Sequence, residues 1–254
     1  MSKKRIIFYT GCRADYGLLE PLIQKVHSRL ETYLVVGPHH QKKSFGKTSK
    51  NINKKYHKKI FYCGANINYT NVDVTSFISS SLKNYKKIIN NVKPSLIIVL
   101  GDRYEVLSFT IAAFFERVNI CHIHGGEKTI GSFDDTIRHV VSKFSAFHFS
   151  SNYIYKNRLV SMGEKKENIF NFGSIGAETA NKFKFKNKKK IFNLLGINTN
   201  KKIILATFHP ETNSEIKYSE QIQIFLSALK RLKNNHIVFT ASNPDPSGKM
   251  FNDK

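Results

Sequence analysis

This 254-residue sequence predicts an α/β fold with a mostly parallel sheet, and three observations predict it. Short apolar segments of strand length alternate with segments whose apolar residues recur at helical spacing. One of the strands, Ser95–Leu100, is a continuous apolar run, the pattern of a strand buried on both faces. Glycines and ionisable residues collect just after the strands, where open α/β sheets bind their ligands.

The elements follow in order. Arg5–Thr10 reads as a buried strand. Leu18–Leu30 reads as a helix with Pro21 near its first turn, where a missing N–H costs little. Thr32–Val36 is a second strand. Residues 38–57 are polar and basic without a clear period and read as a long loop; such loops inside compact domains are functional or mobile. Lys59–Cys63 is a short strand, and Val74–Asn90 is a helix with apolar residues at 74, 77, 78, 82, 85, 88 and 89. After Ser95–Leu100 come a helix at Tyr104–Phe115, a strand at Asn119–His124 and a helix at Asp134–Phe147. Phe147–Ser150, Tyr153–Met162 and Asn168–Phe172 repeat strand, helix, strand. A second set then begins with a strand at Lys202–Thr207, a helix at Ser219–Leu232 and a strand at His236–Thr240. The Lys-rich stretch between the two sets marks a linker. The expected division is a first domain over 1–175, a linker over 176–195 and a second domain over 196–254. Two strands and one helix hardly close a core of their own, so the second domain is expected to be incomplete.

Composition narrows the function classes. The chain is 41% hydrophobic and 12% aromatic, enough to build a core. The longest apolar run, Leu96–Leu100, is far short of the roughly 20 residues of a membrane span. The N-terminus lacks a long apolar leader and a small-residue cleavage site. Three cysteines, Cys12, Cys63 and Cys121, are odd in number and widely spaced, which fits a reducing cytoplasm better than a disulfide framework. The formal net charge is +23, and a basic chain attracts phosphate-bearing partners. However, 33 Lys against 8 Arg, beside 23 Asn, is the bias of AT-rich codons. The denser runs at Lys54–Lys59 and Lys182–Lys190 read as solvated faces rather than a nucleic-acid groove.

The turns after the strands carry the candidate chemistry. Gly11-Cys12-Arg13-Ala14-Asp15-Tyr16-Gly17 offers two glycines and an Arg at a helix start, either a phosphate cradle or an ordinary turn with a surface Arg. Gly101-Asp102-Arg103-Tyr104-Glu105 puts Asp102 where a strand becomes a helix, as a catalytic group or as a helix cap. The densest cluster follows: Cys121-His122-Ile123-His124-Gly125-Gly126-Glu127, then Phe133-Asp134-Asp135-Thr136-Ile137-Arg138-His139. His122 and His124 share one face of a strand, Asp135 and His139 share a helix face, and a metal site with His139 as third ligand is an alternative. Later, His209-Pro210-Glu211-Thr212 ends a strand, and a matching turn runs over Asn243–Gly248.

At these residues the sequence resembles the hydrolysing UDP-N-acetylglucosamine 2-epimerases. The first turn is similar to their G-T-R-A-D-Y-G-L-L segment. Gly101–Glu105, His124–Glu127, Phe133–His139 and His209-Pro210 match further motifs in the same order, up to about Gly248. The resemblance implies a GT-B-like architecture of two Rossmann-like domains with the nucleotide sugar in the cleft between them. It also implies conversion of UDP-N-acetylglucosamine, or a 2,4-diacetamido analogue, to the 2-epimerised free sugar and UDP, early in sialic-acid-type biosynthesis. UDP leaves from C1, the C2 proton is removed to give a glycal, and water then adds with inverted C2 geometry. Asp102, Glu127, Asp134, His124 and His209 are the implied catalytic groups, moving protons and stabilising oxocarbenium-like charge. Arg13, Asp15, His39, Arg103, Asp135, Arg138 and His139 are the implied substrate contacts. Many family members carry Glu where His124 stands, so Glu127 or His124 itself takes that role here. No cofactor or metal is expected, nor a nucleic-acid or membrane partner. The partner is a UDP-sugar, together with a second copy or a complementing C-terminal fragment, because the family continues for roughly a hundred residues through a G-N-S-S-G loop. The remaining alternatives are a nucleotide-sugar-binding remnant, half of a split enzyme, or a metal-dependent hydrolase on His122 and His124.

Overall fold

The computed structural model describes residues 3–41, 43, 46–63, 74–184, 187–197, 200–209 and 214–240. They form two compact units, Met1–Asn181 and Lys182–Lys254.

The first unit is built on seven strands: β1 (Arg5–Thr10), β2 (Glu31–Val36), β3 (Lys59–Tyr62), β4 (Leu96–Leu100), β5 (Ile120–Ile123), β6 (Phe147–Ser150) and β7 (Ile169–Asn171). They lie in the order β3-β2-β1-β4-β5-β6-β7, and every neighbouring pair is parallel. The chain therefore works outward from β1 to one edge and then restarts beside β1 at β4. That reversal opens a crevice at the carboxyl ends of β1 and β4.

The helices cover both faces. Alternate strand residues point to opposite sides. Ile7, Tyr9, Val35, Ile97 and Val99 pack with Tyr85 and Ile89 of α2 (Val74–Val92), Phe109 of α3 (Tyr104–Phe115) and Val141 of α4 (Asp134–Phe144). Ile6, Phe8, Leu34, Val36, Ile98 and Leu100 pack with Tyr16, Leu19 and Ile23 of α1 (Arg13–Val26). Strands buried on both sides read as apolar runs, which is why β1 and β4 are plain in the sequence.

Four expectations differ. Helix α1 begins at Arg13 rather than Leu18, because Asp15 caps the turn before it, so Pro21 lies inside the helix and not in its first turn. Helix α4 ends at Phe144, three residues before β6 begins at Phe147. The stretch 38–57 contains short 3₁₀ turns at Pro38–Gln41, Thr48–Asn51 and Lys54–Tyr56, pinned by buried His39, His40, Ile52 and Tyr56. Anchors that sparse leave no periodic signal. Finally, much of the expected linker is helical. After α5 (Tyr153–Ser161), in α6 (Ile175–Lys182), Glu178 pairs with Lys25 at 2.9 Å; α7 (Lys188–Leu194) follows it.

The second unit contains α7, then β8 (Lys202–Ala206), α8 (Tyr218–Lys230) and β9 (Asn235–Phe239). β8 and β9 pair in parallel, and Phe225 of α8 stacks on Phe208 at 4.7 Å. Pro210, Glu211, Thr212 and the turn at 243–248 lie outside the described residues.

Candidate active site

At the crevice beside β1, the backbones of two strand exits meet. A Cβ on Gly37 would stand 2.9 Å from Gly11 Cα, so glycine is required for that approach. Asp15 shapes the same turn: its Oδ2 accepts the Gly11 and Cys12 N–H groups at 2.9 and 3.0 Å. This is a carboxylate at the third helical position reaching back to the helix start. Burial pushes the Asp15 carboxyl up, against the pull of Arg103 and those amides. Asp15, expected as a substrate contact, uses its Oδ2 to hold this loop. Arg13, beside it, is exposed at the first position of α1.

Two charged clusters stand at the carboxyl edge. The first is closed. Arg103 Nε lies 3.3 Å from Glu105 Oε2, and His39 Nδ1 lies 2.6 Å from Glu105 Oε1. Glu105 is completely buried and His39 nearly so. Burial alone would raise the Glu105 carboxyl, but Arg103 and then His39 outweigh it and hold it at about 2. His39, expected as a substrate contact, is buried here with its Nδ1 against Glu105. Behind it, His40 bridges Thr10 and Thr48 at 3.0 Å each and so ties the 3₁₀ segment to β1.

The second cluster is open. Arg138, on α4, donates from Nη2 to Asp102 and to Thr129 Oγ1, and from Nη1 to the His124 carbonyl (3.0 Å) and Glu127 Oε2 (3.3 Å). Glu127 Oε1 accepts from Ser151 at 2.6 Å and lies 2.8 Å from His124 Nδ1. Burial acts to raise the Glu127 carboxyl, yet the bonds from His124 and Ser151, with the charge of Arg138, bring it below the usual range. Asp102 and Glu127 keep 19% and 22% of their side chains exposed. This arrangement presents two carboxylates, bridged by one guanidinium, to whatever enters the crevice. Asp102 is no helix cap: α3 has Arg103 at its cap position, and the carboxylate faces Arg138.

His124 lies one residue past the end of β5 and has φ of +65°, a left-handed conformation uncommon outside glycine. That turn takes it off the strand face it was expected to share with His122. His122 stays in the core, with Nδ1 and Nε2 bonded to Ser142 and Gly101. The metal reading on His122, His124 and His139 is therefore corrected, and among the described residues no group of three or more His, Cys, Asp or Glu could hold an ion.

Asp134 begins α4 half-buried, its amide donating to Ser132 Oγ. Asp135 accepts the Thr129 N–H at 2.6 Å and lies 3.7 Å from His139 one helical turn on. His209 is exposed in the second unit.

Residues 24–254 match the family model for UDP-N-acetylglucosamine 2-epimerase. The chain belongs to this epimerase family. It is 33% identical to the GDP/UDP-N,N'-diacetylbacillosamine 2-epimerase (hydrolyzing) of Campylobacter jejuni, over 100% of this chain and 66% of that protein. It is 34% identical to the polysialic acid biosynthesis protein P7 of Escherichia coli, over 99% of this chain and 65% of the relative. The chain thus spans slightly under two thirds of the length of these relatives. The UDP-GlcNAc 2-epimerase of Neisseria meningitidis, solved bound to UDP-GlcNAc, superposes with a TM-score of 0.75 at 18% identity, over 99% of this chain and 69% of that one. The chain has the GT-B-like α/β fold of that structure, and among its described residues no helix is long and apolar enough to cross a membrane.

Motif reading missed several residues that complete the two charged clusters, the one on Arg103 and the one around Asp102, Glu127 and Arg138. Glu105 was quoted within a motif but given no role, although a fully buried carboxylate needs its partners close by. Ser151 and Thr129 carry no motif signal, because they reach Glu127 and Arg138 only through the folded loops. Arg158, which donates to the Gly126 carbonyl, was likewise silent.

Proposed function

We propose that the chain carries the elimination chemistry of a hydrolysing UDP-sugar 2-epimerase, acting on UDP-N-acetylglucosamine or its 2,4-diacetamido analogue. The observation that carries this reading is the pair Asp102 and Glu127, joined by Arg138 and open at the crevice. Elimination breaks the C1–O bond to UDP and the C2–H bond, leaving a glycal. Hydration then returns a hydroxyl to C1 and a proton to C2 on the opposite face. The C2 proton is a poor acid, so departure of UDP leads and a positioned base follows. Glu127, held ionised by His124 and Ser151, suits the base. Asp102 and Asp134 suit stabilisation of positive charge at C1, and Arg13 with Arg103 suits the diphosphate. The relatives named for diacetylbacillosamine and polysialic acid favour a product used for sialic-type sugars, made in the cytoplasm.

The test is a coupled assay for UDP release with UDP-N-acetylglucosamine and with the diacetamido analogue, alongside calorimetric titration with UDP. Release or binding that disappears in Glu127→Gln supports the reading. Neither release nor UDP binding by folded protein overturns it.

A further inference from the structure

His122 is a fully buried, chemically versatile group with no part in the proposed proton transfers. Its Nε2 lies 2.8 Å from the Gly101 carbonyl and its Nδ1 lies 3.0 Å from Ser142 Oγ. Ser142 in turn donates to the Arg138 carbonyl at 3.0 Å. Gly101 precedes Asp102, and Arg138 grips Asp102. These contacts close a ring: Gly101, Asp102, Arg138, Ser142, His122 and back to Gly101. We propose that His122 is a positioning residue, which sets helix α4 against the exit of β4 and so fixes Arg138 on Asp102.

The chemistry of the ring supports this. A carbonyl only accepts, so Nε2 carries the hydrogen and Nδ1 accepts from the Ser142 hydroxyl. That hydroxyl has a single proton, shared between Nδ1 and the Arg138 carbonyl. Burial holds the imidazole at about 3, so it stays neutral and keeps this one tautomer. Neither phenylalanine nor an aliphatic side chain can make the two bonds, and the strands and α4 would then be free to slide by the width of a hydrogen bond. Gly125 belongs to the same device. A Cβ there would stand 3.0 Å from His122 Nδ1 and 3.1 Å from Ser142 Oγ, pressing on the bond between them. The first glycine of His124-Gly125-Gly126-Glu127 thereby gains a reason separate from ligand approach.

The proposal rests on the Asp102–Arg138 pair of the proposed site, but it is read without turnover. In ¹⁵N-arginine-labelled protein, Nη1 and Nη2 of Arg138 face different partners, so rotation about the guanidinium is restricted and two separate Nη signals are expected. In His122→Phe they merge into one. In His122→Gln, which can still reach Gly101, and in Ser142→Ala, which loses a single bond, they broaden. Val141→Ala, a core change on the same helix, serves as the control: it lowers the melting temperature and leaves both signals in place. If His122→Phe does not fold, Ser142→Ala and Gly125→Ala give the reading. Two sharp Nη signals in the folded ring variants, or equal merging in Val141→Ala, overturn the proposal. Absence of UDP release by the unsubstituted protein, with its two separate Arg138 signals present, would count against the reaction reading and leave the ring standing.

Discussion

Arg103 and Arg138 each hold carboxylates at the carboxyl edge of one sheet, yet the two clusters have opposite access. Glu105, gripped by Arg103 and His39, has no exposed surface. Asp102 and Glu127, gripped by Arg138, retain about a fifth of theirs. A buried pair must satisfy itself, because an uncompensated charge in a low dielectric is costly. An accessible pair can exchange part of its coordination for a ligand. The comparison separates burial from access: Glu105 fixes the loops of β1 and β4 from inside, while Asp102 and Glu127 stay open to the crevice.

The largest effect should come from the closed cluster. Glu105→Gln leaves Arg103 without its buried counter-charge and should cost about 3–5 kcal/mol of stability, the scale for breaking such a pair, as read by denaturant unfolding. The division between the clusters fails if this change costs less than Asp102→Asn. That second substitution should reduce UDP release at least about 100-fold, the scale of general acid–base effects, while moving the denaturation midpoint less than Glu105→Gln does. Near-normal release by folded Asp102→Asn would place the chemistry elsewhere.

The pH dependence sharpens the contrast. Burial lowers His122 to about 3 and His40 to about 4, against about 6.5 in an unfolded chain. The unfolded state therefore binds protons that the folded state refuses. Stability is complete above about 6.5 and is lost as pH falls toward 4 and then 3. Glu105, depressed to about 2, adds a further loss as pH falls from the usual carboxylate range toward 2. Unfolding free energy should hence decline between pH 7 and 5, by more than the raised carboxyl of Asp15 offsets; a flat profile there would contradict neutral buried imidazoles. The smallest effect concerns His124. Asn accepts the left-handed backbone as His does, so His124→Asn should change stability by no more than about 1 kcal/mol, the scale of the lost contact. Because His124 is the first partner lowering Glu127, the same change should move the Glu127 titration upward in carboxyl NMR. A stability loss above about 1 kcal/mol would show that the contact outweighs the strain.

Much of this was legible because apolar runs and motif order are local. β1, β4 and the β-α alternation follow from periodicity, and Asp102, Glu127 and Arg138 from their motifs. What stayed hidden depends on folded geometry. The bonds from Asp15 to the Gly11 and Cys12 amides show only in the folded turn. His122 and His124 look like a pair until the φ of His124 turns one away from the other. Glu105 and Ser151 acquire meaning only through partners 66 and 24 positions distant in the chain.

The three cysteines offer a use that has nothing to do with sugar chemistry. Burial raises Cys12 and Cys121 to about 12 and Cys63 to about 11, so in the closed protein almost no thiolate is present to react. Alkylation then proceeds only when the surroundings of a given sulfur open. Cys12 reports the first turn, Cys63 the end of β3 and Cys121 the middle of the sheet. The molecule thus contains three built-in clocks for local opening. Mass spectrometry after timed labelling would rank how often each part of the sheet comes apart, without adding a probe.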